Sequence, residues 1–156
     1  MKSYLKVALV AILALLPCTS SFAALSADVS TAVTALATAT DKVAAKKALA
    51  SAIYTQITAD GPNSISAISA ELILLATDAD SATEITQALA FAAFEYSGEA
   101  GMADVGTGLS ASGAEFSQDG LDVVNDITSS LAVAQAINNL INNNARDISA
   151  STGIGD

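Results

Sequence analysis

Apolar side chains recur at helical spacing through most of this chain. From Leu25 to Asp60 there is neither Gly nor Pro. Within it Val29, Val33, Leu36, Thr40, Val43, Lys47, Ala50, Tyr54 and Ile57 advance by alternating steps of four and three. Such stepping draws one stripe along a helix, close to a heptad repeat. A helix is therefore predicted near 26–58. Thr40 and Lys47 interrupt its stripe, and a break at 39–41 would divide it in two. Ser26 is placed to cap the first part and Thr40 or Asp41 the second, because a short oxygen-bearing side chain accepts from the free N–H groups of a first turn.

Asp60-Gly61-Pro62-Asn63 is a stop followed by a turn. Ile65, Ile68, Leu72 and Leu75 then predict a helix over 64–77. Ser81-Ala82-Thr83-Glu84 has the spacing of a capping box. It opens a predicted helix over 82–97, with Ile85, Ala88, Leu89, Ala92 and Tyr96 on one side and Gly98 at its end. Asp119 stands before a last predicted helix over 120–147, carried by Val124, Ile127, Leu131, Ala134, Ile137 and Ile141. Between Gly98 and Gly120, six of the 23 residues are Gly, and Ser and Ala supply much of the rest. The expectation there is a Gly-rich loop over 98–119. The pattern as a whole predicts an all-α fold, a small bundle of about four amphipathic helices. It forms one domain over 24–148 with a flexible tail at 149–156.

The first residues follow a different rule. Lys2 and Lys6 precede an unbroken apolar run from Val7 to Leu16, and Pro17 ends it. Ser21-Phe22-Ala23 sets small side chains three residues before and directly before a cut. Basic, apolar and small-residue parts in this order make residues 1–23 an expected export signal, cleaved between Ala23 and Ala24. The run is too short to span a bilayer, which needs about 18 or more apolar residues. A lipoprotein acylated at Cys18 is the minor alternative.

Composition sharpens this picture once the signal is set aside. The chain has 16 acidic and 6 basic residues and no His. Removing Lys2 and Lys6 leaves 16 acids against Lys42, Lys46, Lys47 and Arg146, a net charge of −12. A surface so acidic repels nucleic acid and anionic membranes. The one cysteine, Cys18, leaves with the signal, and with it thiol and disulfide chemistry. Alanine supplies much of the apolar fraction and buries little area, so the core should be thin. Self-association is the usual remedy for a fold of that kind.

Candidate chemistry is sparse. Gly106-Thr107-Gly108-Leu109-Ser110-Ala111 matches a dinucleotide fingerprint by spacing, but no strand precedes it. Glu115, Asp119, Asp122 and Asp126 stand four, three and four apart, one face of a helix, and carboxylates so grouped are weak candidates for a hard divalent cation. Asp78, Asp80 and Glu84 resemble the opening of a calcium loop, but Thr83 stands where that loop needs Gly and Leu89 where it needs Glu. Asn138 and Asn142 share one helical row and Asn139 and Asn143 the next, so their amides could fix register across a helix interface. No His is present to activate a nucleophile, and no cofactor is implied. The expected role is thus an exported, secreted or periplasmic, non-enzymatic structural or interaction protein of bacterial type. Its expected partner is itself or another secreted protein, not nucleic acid or a membrane. The alternatives are a divalent-cation or small-ligand binding module and a membrane-active secreted protein.

Overall fold

The computed structural model describes residues 24–151, with side chains through Leu140. Every element in that range is helical: α1 (Ala27–Thr38), α2 (Lys42–Asp60), α3 (Ser64–Ile73), α4 (Ala79–Ser97), α5 (Glu99–Ser112) and α6 (Ser117–Ser151). The all-α class stands. The count of four helices gives way to six, for two reasons.

The first reason is the break at 39–41. Ser26 Oγ accepts the Val29 N–H at 3.2 Å, and Asp41 accepts the Ala44 N–H at 3.0 Å. Each thereby caps its own helix, so the long N-terminal stretch folds as the pair α1 and α2. The second reason overturns the loop expected at 98–119, most of which is the helix α5. Gly98, at φ 63, is the only residue between α4 and α5. Glycines inside a helix each cost about 1 kcal/mol relative to Ala. Here they are offset by proximity. A Cβ on Gly101 would collide with the carbonyl of Ala93, and one on Gly108 with the backbone of Ser66 and, at 2.7 Å, with Ser69 Cβ. Bare Cα atoms thus let α5 lie directly on α4 and α3. Gly120, expected just inside the start of the last helix, lies one turn into α6, its Cα against Thr86.

Boundaries moved as well. The helix expected over 64–77 stops at Ile73, and the one expected over 82–97 starts at Ala79. Its cap is Asp78, not Ser81. Asp78 accepts the Ser81 N–H at 2.7 Å while Ser81 Oγ accepts the Asp78 N–H at 3.0 Å, a reciprocal box one turn earlier than the Ser81–Glu84 reading. The last helix runs over 117–151 where 120–147 was expected, so 149–151 of the expected tail are helical. Residues 1–23, with Cys18 and Ala23, and residues 152–156 lie outside the described range.

Helix α4 is the hub. It packs against α2, α3, α5 and α6, while α1 covers α2 and α3 lies along α5. Leu49, Ile53, Ile57, Ile65, Ile68 and Leu89 are among the fully buried side chains. Among the described residues, seven of the 22 buried apolar residues are Ala, and no aromatic ring is fully buried. Val, Leu, Ile and Met side chains fill most of the core, and close backbone approach at the glycines of α5 draws its helices together.

One buried polar group ties the start of the fold to this core. Gln56, on the inner face of α2, accepts the Ser26 N–H at 3.0 Å and donates to the Ala24 carbonyl at 3.1 Å. It also donates to Asp60 Oδ2 at 3.2 Å. Replacing it with Ala orphans a donor and an acceptor at once, and a buried group left unpaired costs about 1–3 kcal/mol. Gln56→Ala should therefore lower the urea midpoint and expose the Ala24–Ser30 segment to protease. Unchanged proteolysis there would mean that the clamp contributes nothing.

Candidate functional site

Of the stripe read from Val43 through Lys47, Ala50 and Tyr54 to Ile57, Ala50 and Ile57 are core, whereas Val43, Lys47 and Tyr54 are exposed. The break at 39–41 resets the helical phase. At 100° per residue, the buried face of α2, with Leu49, Ile53 and Gln56, lies about a third of a turn away. The exposed part of the stripe lines an open furrow between α2 and α4. Val43 is 60 % exposed and Phe91 65 %, fractions that mark surface residues. At one end Val43, Lys46, Lys47, Ala50, Ala88 and Phe91 enclose about 240 Å³. At the other, Tyr54, Ala92 and Glu95 extend the same trough past Phe91. Tyr54 and Tyr96 meet edge to face, ring centroids 6.0 Å apart.

The lysines of α2 have distinct places. Lys42 pairs with Glu84 at 3.2 Å and donates to the Leu36 carbonyl at 2.8 Å, stapling the end of α1 to α4. Among the described residues this is the one ion pair. Lys46 donates to Gln87 at 2.8 Å across the furrow. Lys47 is exposed on its rim. Two of the four basic residues downstream of the expected cut, Lys46 and Lys47, thus sit at the furrow, and Lys42 lies apart from it.

A second apolar surface runs along α6. Gly120, Val124, Ile127 and Leu131 turn toward α4 and α5. Beyond Leu131 every side chain through Leu140 is exposed. Val133, Ile137 and Leu140, spaced four and three, are 59 %, 52 % and 62 % exposed. They fall about half a turn from Val124 and Leu131, on the outer side of the helix. Gln135 donates to Glu99 at 3.2 Å, so α6 still passes the start of α5 at this level. No charged residue occurs between Asp126 and Arg146.

The remaining candidates are placed as follows. Asp119, Asp122 and Asp126 border one shallow depression with Thr83 and Gln87 of α4. Glu115 is exposed in the connection before α6, outside the helical row that its spacing suggested. Among the described residues no three such groups converge closely enough to hold a metal ion. Asn138 and Asn139 are exposed on α6; the side chains of Asn142 and Asn143 lie outside the described ones. Gly106 to Ala111 is interior helix with no strand before it, so it forms no phosphate cradle. Within the described residues no helix is long and apolar enough to cross a membrane.

Of the three acids that resembled a calcium loop, Asp78 caps α4, Asp80 lies in its first turn and Glu84 faces Lys42. The Ser81 backbone N–H holds the Asp78 carboxyl below its ordinary range, with further help from the Ser81 hydroxyl. A carboxylate whose value is depressed by folding stabilises fully above its unfolded value. That contribution is lost as pH falls through the unfolded value toward the folded one. Acidification below about pH 4 should thus loosen the start of α4. Asp78→Asn, which keeps an accepting oxygen, should flatten this part of the acid limb in a Tm-against-pH series. An unaltered limb would assign the acid sensitivity to other carboxylates.

No protein-family model, no curated protein and no solved structure matches this chain.

Proposed function

We propose that the protein acts after export as a non-enzymatic helical subunit that assembles with copies of itself, in the periplasm or outside the cell. The observation that carries this reading is the furrow between α2 and α4, an apolar trough left open to solvent on an otherwise acidic protein. Exposed apolar surface of this kind, rimmed by charge, is characteristic of protein–protein contact. A seam at heptad spacing on α2 is suited to another helix rather than to a compact ligand.

Export rests on Lys2, Lys6, the Val7–Leu16 run and Ser21-Phe22-Ala23. Sequencing the N-terminus of protein recovered from the envelope or the medium tests it. Ala24 as first residue supports the reading, and an acylated Cys18 replaces it with a tethered lipoprotein. Light scattering of the processed protein over a wide concentration range tests assembly. A mass rising above that of the monomer is expected, and one monomeric mass at every concentration overturns the proposal.

A further inference from the structure

The proposed self-assembly leaves open which surface meets which. Two unpartnered apolar surfaces lie on different helices, and they are complementary rather than alike. The furrow is concave and its rim bears Lys46 and Lys47. The outer stripe of α6 is convex: Val133, Ile137 and Leu140 stand on one helix at steps of four and three. That is the spacing with which an amphipathic helix anchors in a helical groove. On the furrow side, Val43, Lys47, Ala50 and Tyr54 also step by four, three and four. Three such seams together make the interior of a three-helix coil, of which one chain supplies two at the furrow and one at the stripe.

Size agrees. At about 1.5 Å per residue, Val43 to Tyr54 spans about 16 Å and Val133 to Leu140 about 10 Å. The stripe fits within the trough with a turn to spare.

Charge selects the occupant. Two copies of the processed chain, each bearing −12, repel one another over most of their surfaces. The stripe is where that repulsion is least, because 127–145 carries no charge at all. The acids nearest before it, Asp122 and Asp126, are exposed two to three turns N-terminal on the same helix. The furrow's rim bears two of the four basic residues downstream of the expected cut, Lys46 and Lys47. The occupant cannot be the same molecule's own stripe, since α6 runs unbroken over 117–151 with that stripe turned away from α4.

We infer that the α6 stripe of one copy docks in the α2–α4 furrow of the next. The inference rests on the self-assembly proposed above. Such a contact joins two different surfaces, so it is heterologous. Each added copy offers a fresh stripe and a fresh furrow, and growth continues as a chain or closes into a ring rather than stopping at a two-fold dimer.

The test uses the processed protein as the cell delivers it. Ile137→Asp disables the stripe and Phe91→Asp the furrow, both at exposed positions. Val43→Asp provides a second furrow variant at the far end of the trough. Circular dichroism should show unchanged helix content in all three. Alone, each variant should lose self-association at least about 10-fold, the effect of removing an interface anchor. Mixed, Ile137→Asp and Phe91→Asp should form a one-to-one dimer and grow no further, because one retains an intact furrow and the other an intact stripe. If both furrow variants assemble like the unmodified protein, or if the mixture stays monomeric, the heterologous contact is wrong while self-assembly stands. If the unmodified protein is monomeric throughout, both ideas fall.

Discussion

Gly108→Ala should destabilise the protein by about 3 kcal/mol, the upper part of the usual overpacking range. Gly106→Ala, two residues earlier in the same helix, should stabilise it by about 0.5–1 kcal/mol. The opposite signs come from one property of α5. A methyl group on Gly108 would enter the backbone of Ser66, with the Ser66 carbonyl carbon at 2.9 Å and Ser69 Cβ at 2.7 Å. These are atoms of α3 that no rotamer change can remove, so α3 and α5 must separate. At Gly106 an added Cβ meets nothing within 4 Å, and only the helix propensity of Ala remains. Urea unfolding at a concentration where the protein is monomeric reads both, provided the m-value is unchanged. Equal and favourable shifts at the two positions would detach α5 from α3 and restore the 98–119 segment to a loop.

Leu89→Ala should cost about 3 kcal/mol, while Phe91→Ala, two residues on and with the larger side chain, should change monomer stability by less than about 0.5 kcal/mol. Leu89 lies on the inner face of α4 with no exposed surface, so its truncation leaves a cavity at the hub of the fold. For a domain whose whole stability is about 5–15 kcal/mol, that is a large share. Phe91 faces the furrow and has little intramolecular burial to lose. Its removal should appear in association instead. A loss at Phe91 comparable to that at Leu89 would place the ring in the monomer's core and remove the furrow as an open surface.

Much of this fold was legible in the chain, and the failures have identifiable causes. Ser26, Asp41 and Gly98 were readable as caps because capping depends on a single side chain or a single φ, a local matter. Val29, Leu36, Ile65, Ile68 and Leu72 were readable as buried because each helix keeps its own phase. Phase across a break was not readable. Nothing between Thr38 and Lys42 states by how much the chain rotates, and so Val43, Lys47 and Tyr54, continuous on paper with Val29 and Leu36, end on a surface. The Ser81–Glu84 and Asp78–Ser81 boxes are both chemically sound, and choosing between them required knowing where α3 stops. Helix α5 was lost because glycine's cost is local while its benefit is tertiary. Met102, Val105 and Leu109, at steps of three and four and all buried, were the signal that could have found it. The furrow could not be read at all, since it exists only where two separately encoded seams come side by side.

Tryptophan is absent from the chain, and the two tyrosines in the described residues, Tyr54 and Tyr96, form the edge-on pair beside the furrow. Intrinsic emission from the folded helices therefore originates at this outer face, with no ring fully sealed in the interior. A helix laid along the trough withdraws Tyr54 from water and perturbs its neighbour with it, while the aliphatic interior stays dark. The protein thus carries its own optical gauge of what sits against α2 and α4, with no label added.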